Sequence, residues 1–247
     1  MESWQNVSNW YSQIVGEKGH YYHQTTVIPG ALNLLKLKSG DSLLDLACGQ
    51  GVLARHLPSE VLYVGIDSSE ALVKEAQKLD KNSKHSYLVK DLTTPLKLNQ
   101  KFTHATLVLA LQNIKNAFAV AKNASESLKT GGKFLIILNH PAFRIPRHTS
   151  WELDEKNEVQ KRIVNRYLSP IAIPILLNPS KQEKSEISYT YHLPISVIVE
   201  TLNQNGFVIE KIEEWISDKN SVGKHAKAEN TARKEIPLFM AILAKKE

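Results

Sequence analysis

Residues Leu43–Leu57 read LLDLACGQGVLARHL, and this stretch decides the fold. Ser42–Ala47 is a short apolar run that predicts a strand. It enters the turn Ala47-Cys48-Gly49-Gln50-Gly51, and a helix is expected directly after it, over Val52–His56. Small residues at such a turn let a ligand approach the backbone, and a helix start offers free N–H groups. The turn alone does not define the ligand. Dinucleotide sites place G-x-G-x-x-G here, whereas this chain has A-C-G-x-G.

Working outward, the same alternation repeats. Val61–Ile66 is a second β-rich run ending at Asp67, Ser86–Val89 a third, His104–Ala110 a fourth, and Lys133–Asn139 a fifth after Gly131-Gly132. Helices are expected over Glu70–Leu79, capped by Ser68 or Ser69, and over Asn116–Leu128, where Ala117, Val120, Ala121, Ala124 and Leu128 share a face. Strands alternating with helices of this length predict βαβ units and a parallel sheet covered on both faces. After residue 140 the rhythm breaks into a proline-rich segment, read as an insertion over the sheet's carboxyl edge. Within it, Trp151–Arg166 reads as a solvated helix with Trp151, Val159 and Ile163 facing inward. The alternation then resumes with a helix over Ser196–Gln204, ending at Asn205-Gly206, and strands at Phe207–Ile216 and Leu238–Ala244. Lys219–Glu235 between them reads as a long polar loop with a short helix.

Acids close the strands: Asp45 lies in the first run, Asp67 ends the second and Asp91 follows the third. A carboxylate at the end of the second strand of such a unit can accept both hydrogens of a ribose diol. Leu43–Leu57, Gly65-Ile66-Asp67-Ser68-Ser69, Lys90-Asp91-Leu92, Ala105–Ile114 and Leu128–Leu138 resemble the successive motifs of class I S-adenosylmethionine-dependent methyltransferases. The resemblance is nearest to small-molecule enzymes of the ubiquinone/menaquinone-biosynthesis type. It implies a Rossmann-like α/β fold: a seven-stranded, mostly parallel sheet with helices on both faces. It also implies one domain over residues 1–247, with an N-terminal lid over 1–38 and an inserted cap over 141–190 after strand 5. The implied cofactor is S-adenosylmethionine, leaving as S-adenosylhomocysteine. Ala47, Cys48 and Gly49 would line its methionine part, with Asp45 steadying the loop. Asp67 would bind the ribose hydroxyls beside Ser68, and Asp91 the adenine amino group, with Leu92 on the ring. Ala110 and Leu111 would lie beneath the sulfonium. Ala47 stands where the family usually has the first glycine of its motif.

Methyl transfer from a sulfonium needs alignment, exclusion of water and sometimes removal of a proton, so the acceptor is poorly encoded. The segment Leu109–Ile114 lacks the Asn/Asp-Pro-Pro-Tyr/Phe signature of nucleic-acid amino-methylating enzymes, and the lone Cys48 is misplaced for cytosine-C5 chemistry. Two segments are expected to build the acceptor pocket. One is N-terminal, Trp10-Tyr11-Ser12 with Gly19-His20-Tyr21-Tyr22-His23, where Tyr11 or Tyr22 would face the cofactor. The other is Asn139–His148 with Tyr189-Thr190-Tyr191-His192, where His140 or His192 would serve as general base. His140, His192 and Tyr22 are therefore the candidate catalytic residues. The nine histidines show no ligand spacing on one helix face, so no metal is expected.

The 247 residues carry 31 Lys and Arg against 25 Asp and Glu, a net charge of +6. This weakly basic balance permits nucleic acid or anionic lipid as a partner without requiring either. Lys219–Lys234 is the one local basic stretch able to grip phosphate, so RNA or protein methylation and a non-catalytic S-adenosylmethionine-binding module stand as alternatives. One cysteine excludes an intrachain disulfide, and MESWQNVSNWYSQ has no signal-peptide pattern. The expectation is a cytoplasmic monomer or homodimer with no membrane partner, nucleic acid disfavoured, acting on a small-molecule acceptor.

Overall fold

Leu43, Leu44 and Leu46 are fully buried, because strand β1 (Ser42–Leu46) has a packed layer on each side. The computed structural model of the protein describes residues 15, 16, 19–176 and 187–247. β1 pairs in parallel with β2 (Leu62–Asp67) on one side and β4 (Phe102–Val108) on the other. β3 (His85–Val89) extends the sheet beyond β2, and β5 (Leu128–Asn139) extends it beyond β4. The antiparallel strand β11 (Phe239–Lys246) then joins β5 to β10 (Phe207–Trp215), giving the order β10-β11-β5-β4-β1-β2-β3. This is the Rossmann-like, mostly parallel seven-stranded sheet expected from the sequence. Strand order reverses between β1 and β4, which opens a crevice at their carboxyl ends.

Alternate residues feed two cores. Leu44, Leu46, Phe134 and Ile136 pack against α3 (Ala117–Ser127) and α4 (Ile195–Asn203) through Val120, Ala124, Ile198 and Leu202. Leu43, Tyr63, Leu135 and Ile137 pack against α1 (Ile28–Leu35) and α2 (Glu70–Leu79) through Ala31, Leu35, Val73 and Ala76. The Oδ1 of Asn116 and the Oγ of Ser69 accept from the backbone N–H groups of Ala119 and Leu72, capping α3 and α2. α5 (Ala226–Glu235) lies within the polar segment before β11.

Two expectations need correction. The helix expected after the glycine turn is a single 3₁₀ turn, Ala54–His56. Pro58 disfavours helix at Leu57, which is extended at φ −76°, ψ 152°, and the chain turns back into β2. The inserted segment is two hairpins. Trp151–Arg166 is no helix: β6 (Thr149–Asp154) pairs with β7 (Val159–Val164), and Trp151, Val159 and Ile163 are exposed. The turn between them is held by Asp154, which accepts from the backbone and side-chain N–H groups of Asn157, with Glu158 left-handed at φ 51°. β8 (Ile171–Leu176) pairs with β9 (Ile187–His192) as the second hairpin. No helix among the described residues is long and apolar enough to cross a membrane.

Asp45 ties three strands together. Its Oδ2 accepts from the Tyr63 hydroxyl and its Oδ1 from the Thr106 hydroxyl, both at 2.8 Å. Burial pushes its pKa up to about 6, against the two hydroxyl bonds that lower it. A carboxyl raised in the folded state holds its proton more tightly there than in the unfolded chain. Its contribution to stability therefore falls as pH rises from about 4 to about 6, by on the order of 3 kcal/mol. Asp45→Asn should remove that slope from the pH dependence of urea-unfolding free energy. Identical slopes in the two proteins would contradict this account.

Candidate active site

The crevice at the strand ends holds a cavity of about 670 Å³. Its floor comes from Ala47 and Gly49 after β1, Asp67 and Ser68 after β2, Asp91 to Thr93 after β3, and Val108 to Ala110 at the end of β4. Asn113 to Asn116 form one wall, and Ile187, Ser188, Tyr189 and Tyr191 of β9 line it from the inserted hairpin.

Asp67 is buried and holds the turn together. Its Oδ2 accepts from the Gly49 N–H and its Oδ1 from the Ser69 N–H, each at 2.9 Å. Burial raises its pKa, and the backbone bonds from Ser69, Gly49 and Ser68 oppose the rise. A carboxylate offers about four acceptor positions, so both oxygens can take a further hydrogen bond from the cavity. Asp91 accepts from the Thr93 N–H and hydroxyl through Oδ1 alone, at 2.8 Å each. Its Oδ2 has no hydrogen bond among the described residues. Leu92, beside it, is buried. The cavity thus presents an acceptor pair at the end of β2 and, after β3, a single acceptor with an apolar residue beside it. That set suits a ribose diol and a flat base carrying an amino group.

Backbone strain marks two lining residues. Ala47 at φ 58° and Leu109 at φ 52° are both left-handed, at the ends of β1 and β4. The Leu109 N–H donates to the Ile137 carbonyl at 2.7 Å, which holds it there. Neither strain was legible in the sequence, although the position of Ala47 in a glycine turn was a clue.

Of the residues expected to bind cofactor, Ala47, Gly49, Asp67, Ser68, Asp91, Leu92 and Ala110 line this cavity. Three do not. Asp45 is buried among β1, β2 and β4, as described above. Cys48 turns toward the other face of the sheet, where its Sγ lies against Gly65, and burial pushes its thiol pKa well up, away from any nucleophilic role. Leu111 lines a second cavity of about 50 Å³ instead. Tyr11 lies outside the described residues.

The candidate catalytic residues also separate. Tyr22 lies outside both cavities: its hydroxyl hydrogen-bonds Ser217 at 2.8 Å, and its ring meets Phe239 edge-on. His140 is buried with both nitrogens engaged. Its Nε2 bonds Glu214 Oε1 at 2.7 Å, and its Nδ1 accepts from the Ala142 and Phe143 N–H groups. It is a post for the turn after β5. His192 lines the second cavity, which shares Tyr191 with the large one. Its Nε2 lies 2.6 Å from the Tyr167 carbonyl, so Nε2–H is the donor. Its Nδ1 has no hydrogen bond among the described residues, and burial lowers the ring's pKa.

A family model described as a methyltransferase domain matches residues 44–134. An uncharacterized methyltransferase of Schizosaccharomyces pombe is 35% identical over 109 residues, 41% of each chain. This chain thus spans about two fifths of that relative's length. An S-adenosylmethionine-dependent methyltransferase of Mesorhizobium loti superposes with a TM-score of 0.68 at 23% identity, covering 90% of this chain and 99% of its own. The glycopeptide N-methyltransferase MtfA, solved with S-adenosylmethionine, superposes with a TM-score of 0.60 at 15% identity, covering 90% and 94%.

A left-handed alanine costs about 1–2 kcal/mol. Glycine relieves that cost and gives back about 0.5–1 kcal/mol through the freedom of the unfolded chain. Ala47→Gly should therefore raise the unfolding free energy by roughly 0.5–1 kcal/mol, measured in urea. A loss of 1 kcal/mol or more would show that the Ala47 methyl group is needed for packing.

Proposed function

We propose that this chain, which has the fold of S-adenosylmethionine-dependent methyltransferases and matches a methyltransferase-domain model over residues 44–134, transfers a methyl group from S-adenosylmethionine to a small organic acceptor. S-adenosylhomocysteine is the other product. The observation that carries the reading is the Asp67 carboxylate, fixed by the Gly49 and Ser69 N–H groups at the floor of the cavity. Its remaining acceptor positions suit the ribose, and Asp91 Oδ2 suits the adenine amino group. The volume of about 670 Å³ falls within the roughly 300–1,000 Å³ of ligand pockets.

Bound cofactor supplies an electrophilic methyl group on sulfur. The chain's own residues hold the two reactants in line and keep water away. Ala47, Gly49 and Ala110 leave room beside the strand ends for the reacting centre. Tyr189 and Tyr191 lie over the acceptor side, where aromatic faces favour a sulfonium. An acceptor that must lose its proton passes it to His192, whose Nδ1 is unengaged and whose lowered pKa keeps the ring neutral near pH 7. β9 lines one side of the cavity as part of a hairpin, and a pocket walled on that side suits a small acceptor better than RNA or protein. The resemblance to enzymes of the ubiquinone/menaquinone-biosynthesis type points the same way.

Methyl-labelled S-adenosylmethionine, incubated with the protein and separate metabolite, small-RNA and protein fractions, should deliver label to the metabolite fraction. Label in RNA or protein alone would overturn the small-acceptor reading. His192→Ala should lower the transfer rate about 10²–10⁴-fold while leaving cofactor affinity within a few-fold. His140→Ala should lower the melting temperature and leave the pH–rate profile unchanged. A pH–rate profile shifted by His140→Ala and untouched by His192→Ala would reverse the assignment.

A further inference from the structure

The second cavity, of about 50 Å³, lies beside the large one, and Tyr191 lines both. At one water-sized group per roughly 10–15 Å³, it holds about four non-hydrogen atoms. Its walls are mostly apolar, through Leu111, Leu138, Ile145, Leu193 and Ile198, and no carboxylate lines it among the described residues.

Two side chains of the lining carry acceptors with nothing to accept from. The Gln112 amide is oriented by its Nε2, which donates to the Leu109 carbonyl at 2.8 Å. The other end, the buried Oε1, is therefore an acceptor, and it has no partner. The His192 tautomer is fixed in the same way. Its Nε2–H donates to the Tyr167 carbonyl at 2.6 Å, which leaves a lone pair on Nδ1 with no hydrogen bond among the described residues. The two residues sit on neighbouring elements. Gln112 lies on the turn after β4, and its backbone carbonyl accepts from the Thr190 hydroxyl of β9 at 3.2 Å. His192 is two residues further along β9, on the same face as Thr190 and about 7 Å along the strand. A buried acceptor without a donor is unfavourable, so this pair selects a group by the hydrogens it brings. A carboxylate brings none and a hydroxyl one. An ammonium brings three, but it would be a buried cation with no acid beside it and with Arg144 on the same lining. An uncharged NH2 group brings two.

We propose that the reacting atom of the methyl acceptor is the nitrogen of an uncharged primary amine, as in an aromatic amine, with one hydrogen held by Gln112 Oε1 and the other by His192 Nδ1 beside Tyr191. With both hydrogens held, the lone pair is left free to react. It forms the new nitrogen–carbon bond as the methyl carbon–sulfur bond breaks, and the electron pair of that bond stays on sulfur. One proton passes to His192 Nδ1, while Gln112 holds the other hydrogen and takes no proton.

This rests on the methyltransferase reading above, and the experiment separates the two. Acetamide, acetone and acetate match in size, and only acetamide carries an NH2 group. Each is titrated into the full chain, with and without saturating S-adenosylhomocysteine, and followed by the NMR shifts of the His192 ring. Acetamide should bind saturably and at least tenfold tighter than acetone or acetate. Gln112→Leu should bring the ratio of acetamide to acetone affinity down to about one, and the wild-type comparison stands whether or not this variant folds. Equal binding of acetamide and acetone to the wild type, or no saturable binding of acetamide, overturns the proposal and leaves the cavity to water. An unchanged ratio in folded Gln112→Leu overturns it as well. Carbon-13-methyl S-adenosylmethionine, incubated with the protein and the metabolite fraction, should give a product with an N-methyl resonance; an O-, S- or C-methyl product overturns the assignment of nitrogen. Failure of S-adenosylhomocysteine to bind overturns the methyltransferase reading instead, and the acetamide titration without it still decides what the cavity holds.

Discussion

The carboxylate of Asp67 is the constraint on which the cavity depends. It ends β2, accepts from Gly49 in the turn after β1, and accepts from Ser69 at the start of α2. One side chain thus joins two strand ends and a helix cap. The absence of a full helix after the glycine turn makes this bond more important. A single 3₁₀ turn provides little dipole and few free N–H groups, so the turn is positioned by the acid across the crevice. Beneath it, Asp45 repeats the device in the interior, binding β2 and β4 to β1 through two hydroxyls. The two acids do different work. Asp45 is spent on structure, and Asp67 keeps acceptor capacity facing the cavity.

The two hairpins of the inserted segment complete the site from the other side. β9 pairs with β8 and brings Tyr189 and Tyr191 against the cavity, while Thr190 on the alternate face bonds the Gln112 carbonyl. That bond attaches the insertion to the segment after β4. His192, next along β9, is buried against Tyr167 and sits in the smaller cavity.

The sheet was largely legible in the sequence because parallel strands buried on both faces read as apolar runs, and the first three runs end at a glycine turn or an acid. The floor of the cavity was legible for the same reason: Ala47, Gly49, Asp67, Ser68, Asp91, Leu92 and Ala110 follow strand ends in local order. What was not legible depended on distant partners. His140 is claimed by Glu214, 74 residues away, and Tyr22 by Ser217, 195 residues away, and nothing local signals either contact. Trp151–Arg166 was misread because its charges match a helical face as well as a two-sided exposed hairpin. Pro58 did stand in the sequence as a signal against a helix after the glycine turn.

The central claim is that Asp67 and its cavity hold the adenosine part of S-adenosylmethionine. Calorimetric titration of S-adenosylhomocysteine into the wild-type protein and Asp67→Ala tests it most directly. A folded Asp67→Ala, checked by circular dichroism, should bind more weakly by about 2–4 kcal/mol, the loss of two charge-assisted hydrogen bonds. Its melting temperature should also fall, since the Gly49 turn loses its anchor. Undiminished affinity in the folded variant, or binding of NAD in place of S-adenosylhomocysteine by the wild type, would contradict the account.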